Sequence, residues 1–130
     1  MATGISHFGL TKIEQISVTV HDLEKAVVFY RDYLGLRFLF RGPHMAFFDC
    51  GGIRVMLAVP ESAKFDHPSS IVYYKVDDID FAFKTLSARG VIFHGKPHLI
   101  AKLPDHELWM AFFEDVDENT MALMCEVRSQ

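Results

Sequence analysis

Apolar and polar residues alternate from Ile13 to Val20, with Ile16, Val18 and Val20 on one face and Gln15, Ser17 and Thr19 on the other. Period two with β-branched side chains predicts a strand with one face on a core. The opposite face is short-chained and uncharged, which suits a cavity wall as well as it suits solvent. Asp22 is a good N-cap. After it Leu23, Ala26, Val27, Tyr30, Tyr33 and Leu34 recur at helical spacing until Gly35 supplies a stop. This predicts an amphipathic helix of about three turns. Strand-like runs follow at 36–40, 45–50 and 53–59, the last two joined by Gly51-Gly52, which reads as a hairpin turn. Residues 13–60 thus form one strand-helix-three-strand unit.

Residues 60–70 are polar with two prolines and read as a linker. The same order then returns over 70–128. A strand is expected at 71–76, a helix capped by Asp78 and ended by Gly90, the start of a strand at 91–93, and strands at 98–103, 106–113 and 120–127. The repeat is visible in the letters. Val20-His21-Asp22-Leu23 matches Val76-Asp77-Asp78-Ile79, Gly35-Leu36-Arg37-Phe38 matches Gly90-Val91-Ile92-Phe93, and Met45 to Asp49 matches Met110 to Glu114. The offsets are 56, 55 and 65 residues, so the second copy carries extra residues between its helix and its third match. A repeat of this length means that each unit stacks its apolar face on its twin. The fold class is α+β, two tandem modules (13–60 and 70–128) within a single domain of residues 1–130, with residues 1–12 as an arm of little pattern.

Half of the 130 residues are hydrophobic and 23% are charged, which favours a packed core over disorder. A net charge of -4 argues against nucleic acid as a partner. No apolar run approaches the roughly 18 residues of a membrane span, and the first residues lack a signal-peptide core. Cys50 and Cys125 lie in apolar runs and are expected to be two buried thiols in a reducing, cytoplasmic setting. Nucleophile elbows, phosphate-binding loops, dinucleotide fingerprints and paired-cysteine motifs are absent from the sequence.

The segment QISVTVHDLEKAVVFYRDYLGLRF resembles the first strand and helix of the vicinal oxygen chelate superfamily of glyoxalases, bleomycin-resistance proteins and extradiol dioxygenases. WMAFFEDVDENTMALM resembles its closing hairpin, usually written around FF-x-D-P-x-G-N, with Val116 and Glu118 here where proline and glycine are usual. The resemblance covers residues 13–127. It implies a curved mixed sheet around a cup with the helices outside, and a homodimer, since the family often buries a two-module interface within one chain or by exchange between chains. Metal-dependent members place four ligands on the first and fourth strands of the two modules. Here those positions hold Gln15, Met56, Ile71 and Ala122. Hard divalent ions want oxygen or imidazole donors; isoleucine and alanine cannot donate, and a thioether suits Cu(I). The standard metal site is therefore not expected, and no cofactor is expected in its place. A metal held by a non-standard set of His106, His98 and Gln15 stays as an alternative.

The candidate ligand-binding residues follow from the cup. Gln15 and Ser17 read as polar anchors or as solvated strand positions. Arg54, Tyr73 and Lys75 read as anchors for an anion or as rim residues. Met45, Phe47, Met56, Met110, Phe112 and Met124, with Trp109, read as soft contact area for an aromatic or amphipathic molecule or as core packing. His106 is the candidate catalytic group, a general acid or base, or else a structural residue beside a turn, and His98 reads as structural. Alternation puts Asp105 and Glu107 off the face of His106, so a carboxylate-histidine pair is not expected there, while Glu126 is placed near the strand end, where solvation or a histidine can satisfy it. Two functions stand: a protein binding a small organic molecule in an apolar cup without the standard metal; or a lyase, isomerase, epimerase or dioxygenase with atypical ligands or His106 acid/base chemistry. A module acting only through protein contacts is the least favoured class.

Overall fold

The computed structural model describes residues 8–128. Residues 1–7 of the arm lie outside them, and residues 8–14 run without regular structure, Phe8 and Leu10 exposed. The first module contains β1 (Gln15–Thr19), α1 (Leu23–Val28), β2 (Arg37–Arg41), β3 (Met45–Cys50) and β4 (Ile53–Ala58). The second contains β5 (Val72–Lys75), α2 (Ile79–Ala88), β6 (His98–Lys102), β7 (His106–Glu114) and β8 (Thr120–Arg128). Each module forms its own four-stranded mixed sheet, in the orders β1-β4-β3-β2 and β5-β8-β7-β6. The first strand of each sheet pairs parallel with the last, and the remaining pairs are antiparallel.

Both helices begin the same way. The Asp22 carboxylate accepts the Lys25 N–H at 3.1 Å and the Asp78 carboxylate accepts the Phe81 N–H at 3.0 Å, each satisfying one of the free donors of a first turn. The two helices then diverge. α1 continues as a π-helical turn, Phe29–Tyr33, closed by Leu34 N–H donating to the Phe29 carbonyl at 2.9 Å. A π-turn holds one more residue than an α-turn, and this accounts for the repeat offset falling from 56 to 55 across the helix. The expected helix of three turns is therefore part α and part π. Past α2, the expected strand start at 91–93 is reduced to a single bridge between Phe93 and Phe113, because Gly95, at φ 99°, and Pro97 interrupt the run.

One core joins the modules on the helix side of the sheets. Val18, Phe48, Val55 and Leu57 of the first module and Ala111, Phe113, Met121 and Leu123 of the second belong to a single buried cluster. Trp109 shares the face of Ala111 and Phe113 and packs partly on this core, with its indole N–H on Glu107 at 3.0 Å. Of its two readings, contact area or core packing, Trp109 takes core packing.

The modules are also joined by polar groups. Asp115, 6% exposed, accepts through Oδ1 from the backbone N–H groups of Asp117 (2.8 Å) and Asn119 (2.9 Å). Its Oδ2 accepts from the Tyr30 hydroxyl (2.7 Å) and the Asn119 amide (2.9 Å), and that amide also donates to the Thr19 carbonyl at 2.8 Å. Burial and the neighbouring Asp115 carboxylate hold the Tyr30 phenol protonated, well above its ordinary range. Glu118, in the position where the family's closing hairpin usually has glycine, adopts φ 64°, a conformation that costs an ordinary residue about 1–2 kcal/mol.

The twin of this latch is open. By the repeat offsets Cys50 stands where Asp115 does and Leu86 where Tyr30 does, so both halves of the hydrogen bond are missing. A groove of about 670 Å³ runs there between the modules, bordered by Leu36, Cys50, Tyr74, Phe81, Leu86 and Phe113. Cys50 is half-buried rather than buried, because the groove reaches it, while Cys125 is buried, and both are free thiols. Burial and then Asp49 raise the Cys50 pKa, which makes it a poor nucleophile.

Candidate functional site

Alternation leaves each sheet a second face, away from the helices. In the first module Ser17 pairs with Met56, Met56 with Phe47, and Phe47 with Phe40, a row across all four strands. The Phe40 and Phe47 rings lie 4.7 Å apart, and the Arg54 guanidinium sits 5.8 Å from the Phe47 ring centre. Arg54 Nε donates to Gln15 Oε1 at 2.8 Å, and the Gln15 amide lies 3.9 Å from the Met56 sulfur. Met45, at 39% exposed, extends the same face. Gln15, Ser17, Met45, Phe47, Arg54 and Met56 are thus one continuous surface.

The second module repeats the row. Tyr73 pairs with Ala122 and Ala122 with Phe112, while Lys75 pairs with Met124 and Met124 with Met110. Tyr73, 46% exposed, meets the Phe112 ring edge-on at 6.3 Å, and the His98 imidazole stacks on Phe112 at 6.3 Å with 29° between the planes. Lys75 stands exposed at the strand end and borders the inter-module groove.

Phe40 lies outside the residues anticipated from sequence, and His98, expected as a structural residue or an atypical metal ligand, stands beside Phe112 in this row. Phe38 and Phe40 have the same parity and would share a face in a regular strand. The register shifts between them, so Phe38 pairs with Phe48 and packs on the core, while Phe40 pairs with Phe47 on the other face. β6 has the same shift between Leu99 and Ala101. A bulge exchanges the faces of one strand, and simple alternation cannot reveal it.

His106 stands apart. It opens β7, six residues before Phe112, or about 20 Å along the strand, so within one chain it does not meet Tyr73. The expectation that Asp105 faces away from it is corrected: Asp105 Oδ1 is 2.7 Å from His106 Nδ1. Asp105 belongs to the turn before the strand, where alternation does not apply. Asp105 Oδ2 accepts from Arg128 at 2.7 Å, Arg128 also donates to Glu126 at 2.7 Å, and Glu126 lies 4.0 Å from His106 Nε2. The His106 contact, then Arg128, holds the Asp105 carboxyl below its ordinary range.

The four positions that the resemblance assigns to metal ligands hold an amide, a thioether, an isoleucine and an alanine, a poor donor set for a hard divalent ion. The Gln15 amide is held by Arg54 and faces a thioether. Ile71 falls just outside β5, and Ala122 is fully buried beneath its neighbours. Among the described residues no three His, Cys, Asp or Glu side chains converge in a cage; His98 pairs with Met110, four residues along β7 from His106, and Gln15 lies in the other sheet. No helix among them is long and apolar enough to cross a membrane.

A cavity of about 500 Å³ covers the end of the first-module face. Ser17, Thr19, Met45 and Met56 form its floor, and the linker supplies a wall through Phe65 and Ser69. The linker is therefore a strap, with a short 3-10 turn at Ala63–Phe65.

Residues 12–123 match the family described as the Glyoxalase/Bleomycin resistance protein/Dioxygenase superfamily. The chain is 30% identical over 129 residues to an uncharacterized protein, YraH, of Bacillus subtilis, with 86% of this chain and 96% of that protein covered. A crystal structure of a member of the same superfamily from Sphaerobacter thermophilus superposes with a TM-score of 0.74 at 26% identity, covering 90% of this chain and 98% of the other. A lactoylglutathione lyase from Agrobacterium tumefaciens shares the fold with a TM-score of 0.71 at 22% identity, covering 89% and 94%. With its two tandem modules and the matched residues, the chain belongs to the glyoxalase/bleomycin resistance protein/dioxygenase superfamily, the vicinal oxygen chelate fold.

Proposed function

We propose that this protein binds a small aromatic or amphipathic organic molecule against the inner faces of its modules, without the family's standard metal. The observation that carries this reading is the composition of the two rows. Where metal-dependent members place four ligands, only Gln15 offers a suitable donor, and around these positions stand Phe40, Phe47, Met56, Tyr73 and Phe112. Flat rings stack on such aromatics and methionine adapts to irregular shapes, while Gln15, Ser17, Arg54 and Tyr73 can fix orientation. A thermal-shift panel of aromatic metabolites and antibiotics tests it: stabilisation by members of the panel is expected, and an entirely flat panel overturns the reading.

The exposure of Met45, Phe40 and Tyr73 favours completion of the cup by a second copy of the chain. A homodimer is expected by sedimentation at working concentration across several salts, and a mass of one chain throughout would remove it. The two free thiols fit a reducing cytoplasm. This reading has neither nucleic acid nor a membrane as a partner: the net charge is -4, and no helix among the described residues is long and apolar enough to cross a membrane.

A second reading, an enzyme of the lyase, isomerase, epimerase or dioxygenase kind, draws on the 2.7 Å contact between Asp105 and His106, which orients an imidazole for acid/base work. Turnover of a thiohemiacetal, catechol or acyl-thioester that disappears in His106→Ala, or a stoichiometric transition metal lost in that variant, would establish it. Protein free of metal and inert towards all three substrates would exclude it.

A further inference from the structure

The strap is fastened to the body at several points. At its end the Ser69 hydroxyl accepts the Thr19 N–H at 2.8 Å. Across its middle, Asp66 Oδ1 lies 2.8 Å from His21 Nε2. The other ring nitrogen of His21, Nδ1, lies 2.8 Å from Asp117 Oδ1, which also accepts the His21 backbone N–H at 3.0 Å. The Asp117 side chain is 11% exposed and its Oδ2 is buried with no hydrogen-bond partner among the described residues.

A carboxylate only accepts, so each ring nitrogen facing one must carry a hydrogen, and only the imidazolium has two. A neutral ring serves one aspartate and turns a lone pair on the other. Asp117 is the more buried and is held by the backbone of His21 as well, so it keeps the remaining N–H. Asp66, on the strap and 45% exposed, loses its donor. The charged groups facing His21 are Asp66 from the strap and Asp117 from the β7–β8 turn. Their hydrogen bonds, then their charges, raise its pKa above the ordinary 6.5.

We propose that His21 is a proton-dependent latch, which holds the strap over the first-module face while the ring is charged and frees it when the ring is neutral. The regulatory meaning rests on reading that face as part of the ligand site, but the latch can be tested with no ligand. The sign follows from linkage. A pKa raised by latching gives a closed strap that is fully favoured below 6.5 and lost as pH rises through the latched pKa.

The experiment is hydrogen exchange of the amides at 61–67, corrected for intrinsic rates between about pH 5.5 and 8.5, alongside an NMR titration of the His21 ring. The full chain is expected to lose strap protection by up to about tenfold per pH unit within the window, in step with His21, with core amides unchanged. In Asp66→Asn the amide can donate to the neutral ring or accept from the charged one, so the dependence should flatten, with little loss of protection as pH rises. His67, beside Asp66 on the strap, is controlled by His67→Gln, in which the wild-type transition should persist. A strap whose protection ignores His21, a transition that vanishes with His67, an Asp66→Asn variant with the wild-type dependence, or a His21 that titrates at or below 6.5 would each overturn the proposal.

Discussion

The closing turns of the two modules occupy equivalent places and do different work. At the β7–β8 turn, Asp115 gathers four donors and fastens the second module to Tyr30, while the Asn119 amide it holds reaches the end of β1. At the β3–β4 turn, Cys50 takes the same position beside Gly51-Gly52, and a groove remains. The inner faces differ as well. The first carries a guanidinium, an amide and a hydroxyl among its rings and is partly covered by a strap; the second is a tyrosine-phenylalanine-histidine row over a buried alanine. The repeated elements thus supply the scaffold, and the individual character of each half comes from its turns and its inward side chains.

This comparison can be broken by substitution. Asp115→Ala takes the acceptor from the buried Tyr30 hydroxyl, from the Asp117 and Asn119 backbone N–H groups and from one N–H of the Asn119 amide, and should destabilise the fold by about 3 kcal/mol or more by urea denaturation. The twin change, Cys50→Ala, removes only a half-buried sulfur and should cost about 1 kcal/mol or less; equal losses would mean that the two turns are not functionally distinct. Tyr30→Phe keeps the ring and deletes one bond to Asp115, with an expected loss of about 1–3 kcal/mol. Glu118→Gly should instead stabilise by about 1 kcal/mol, since its positive φ suits glycine.

The smallest effect is one of pH. Asp105 is held below its usual 3.8, so its contribution is present above that value and fades as pH falls through the lower, folded one. Asp105→Asn should flatten the acid limb of the stability curve slightly, while the His21 latch acts at the opposite end, above 6.5. Melting curves of Asp105→Asn and Asp66→Asn across pH separate these limbs.

Much of the fold was legible in the chain because its signals are local. Alternation gave β1 to within two residues, strand-like runs between turns gave β3, β4 and β8 to within one, and Asp22 and Asp78 marked both helix starts through their caps. The repeat joined these pieces into modules, and the resemblance named the scaffold. What stayed hidden is non-local or breaks the period. The π-turn left only a one-residue change in offset as its trace. The bulges in β2 and β6 moved Phe40 and His98 to the inner faces without any change in composition. Asp105 and His106 meet because a turn curls back, and alternation is silent about turns. The Asp115 latch lay within a recognised motif, yet its partner Tyr30 is 85 residues away in sequence and read only as one more apolar helix position.

The central claim is that the inner faces of both modules hold one organic ligand without a metal. Isothermal titration of chelator-treated protein with a compound that stabilises it tests this most directly, repeated on Phe47→Ala and Phe112→Ala. The account predicts binding to the metal-free protein and a loss of affinity of about tenfold in each variant, one from each module. Binding that returns only when a transition metal is restored, or that neither substitution weakens, would contradict it.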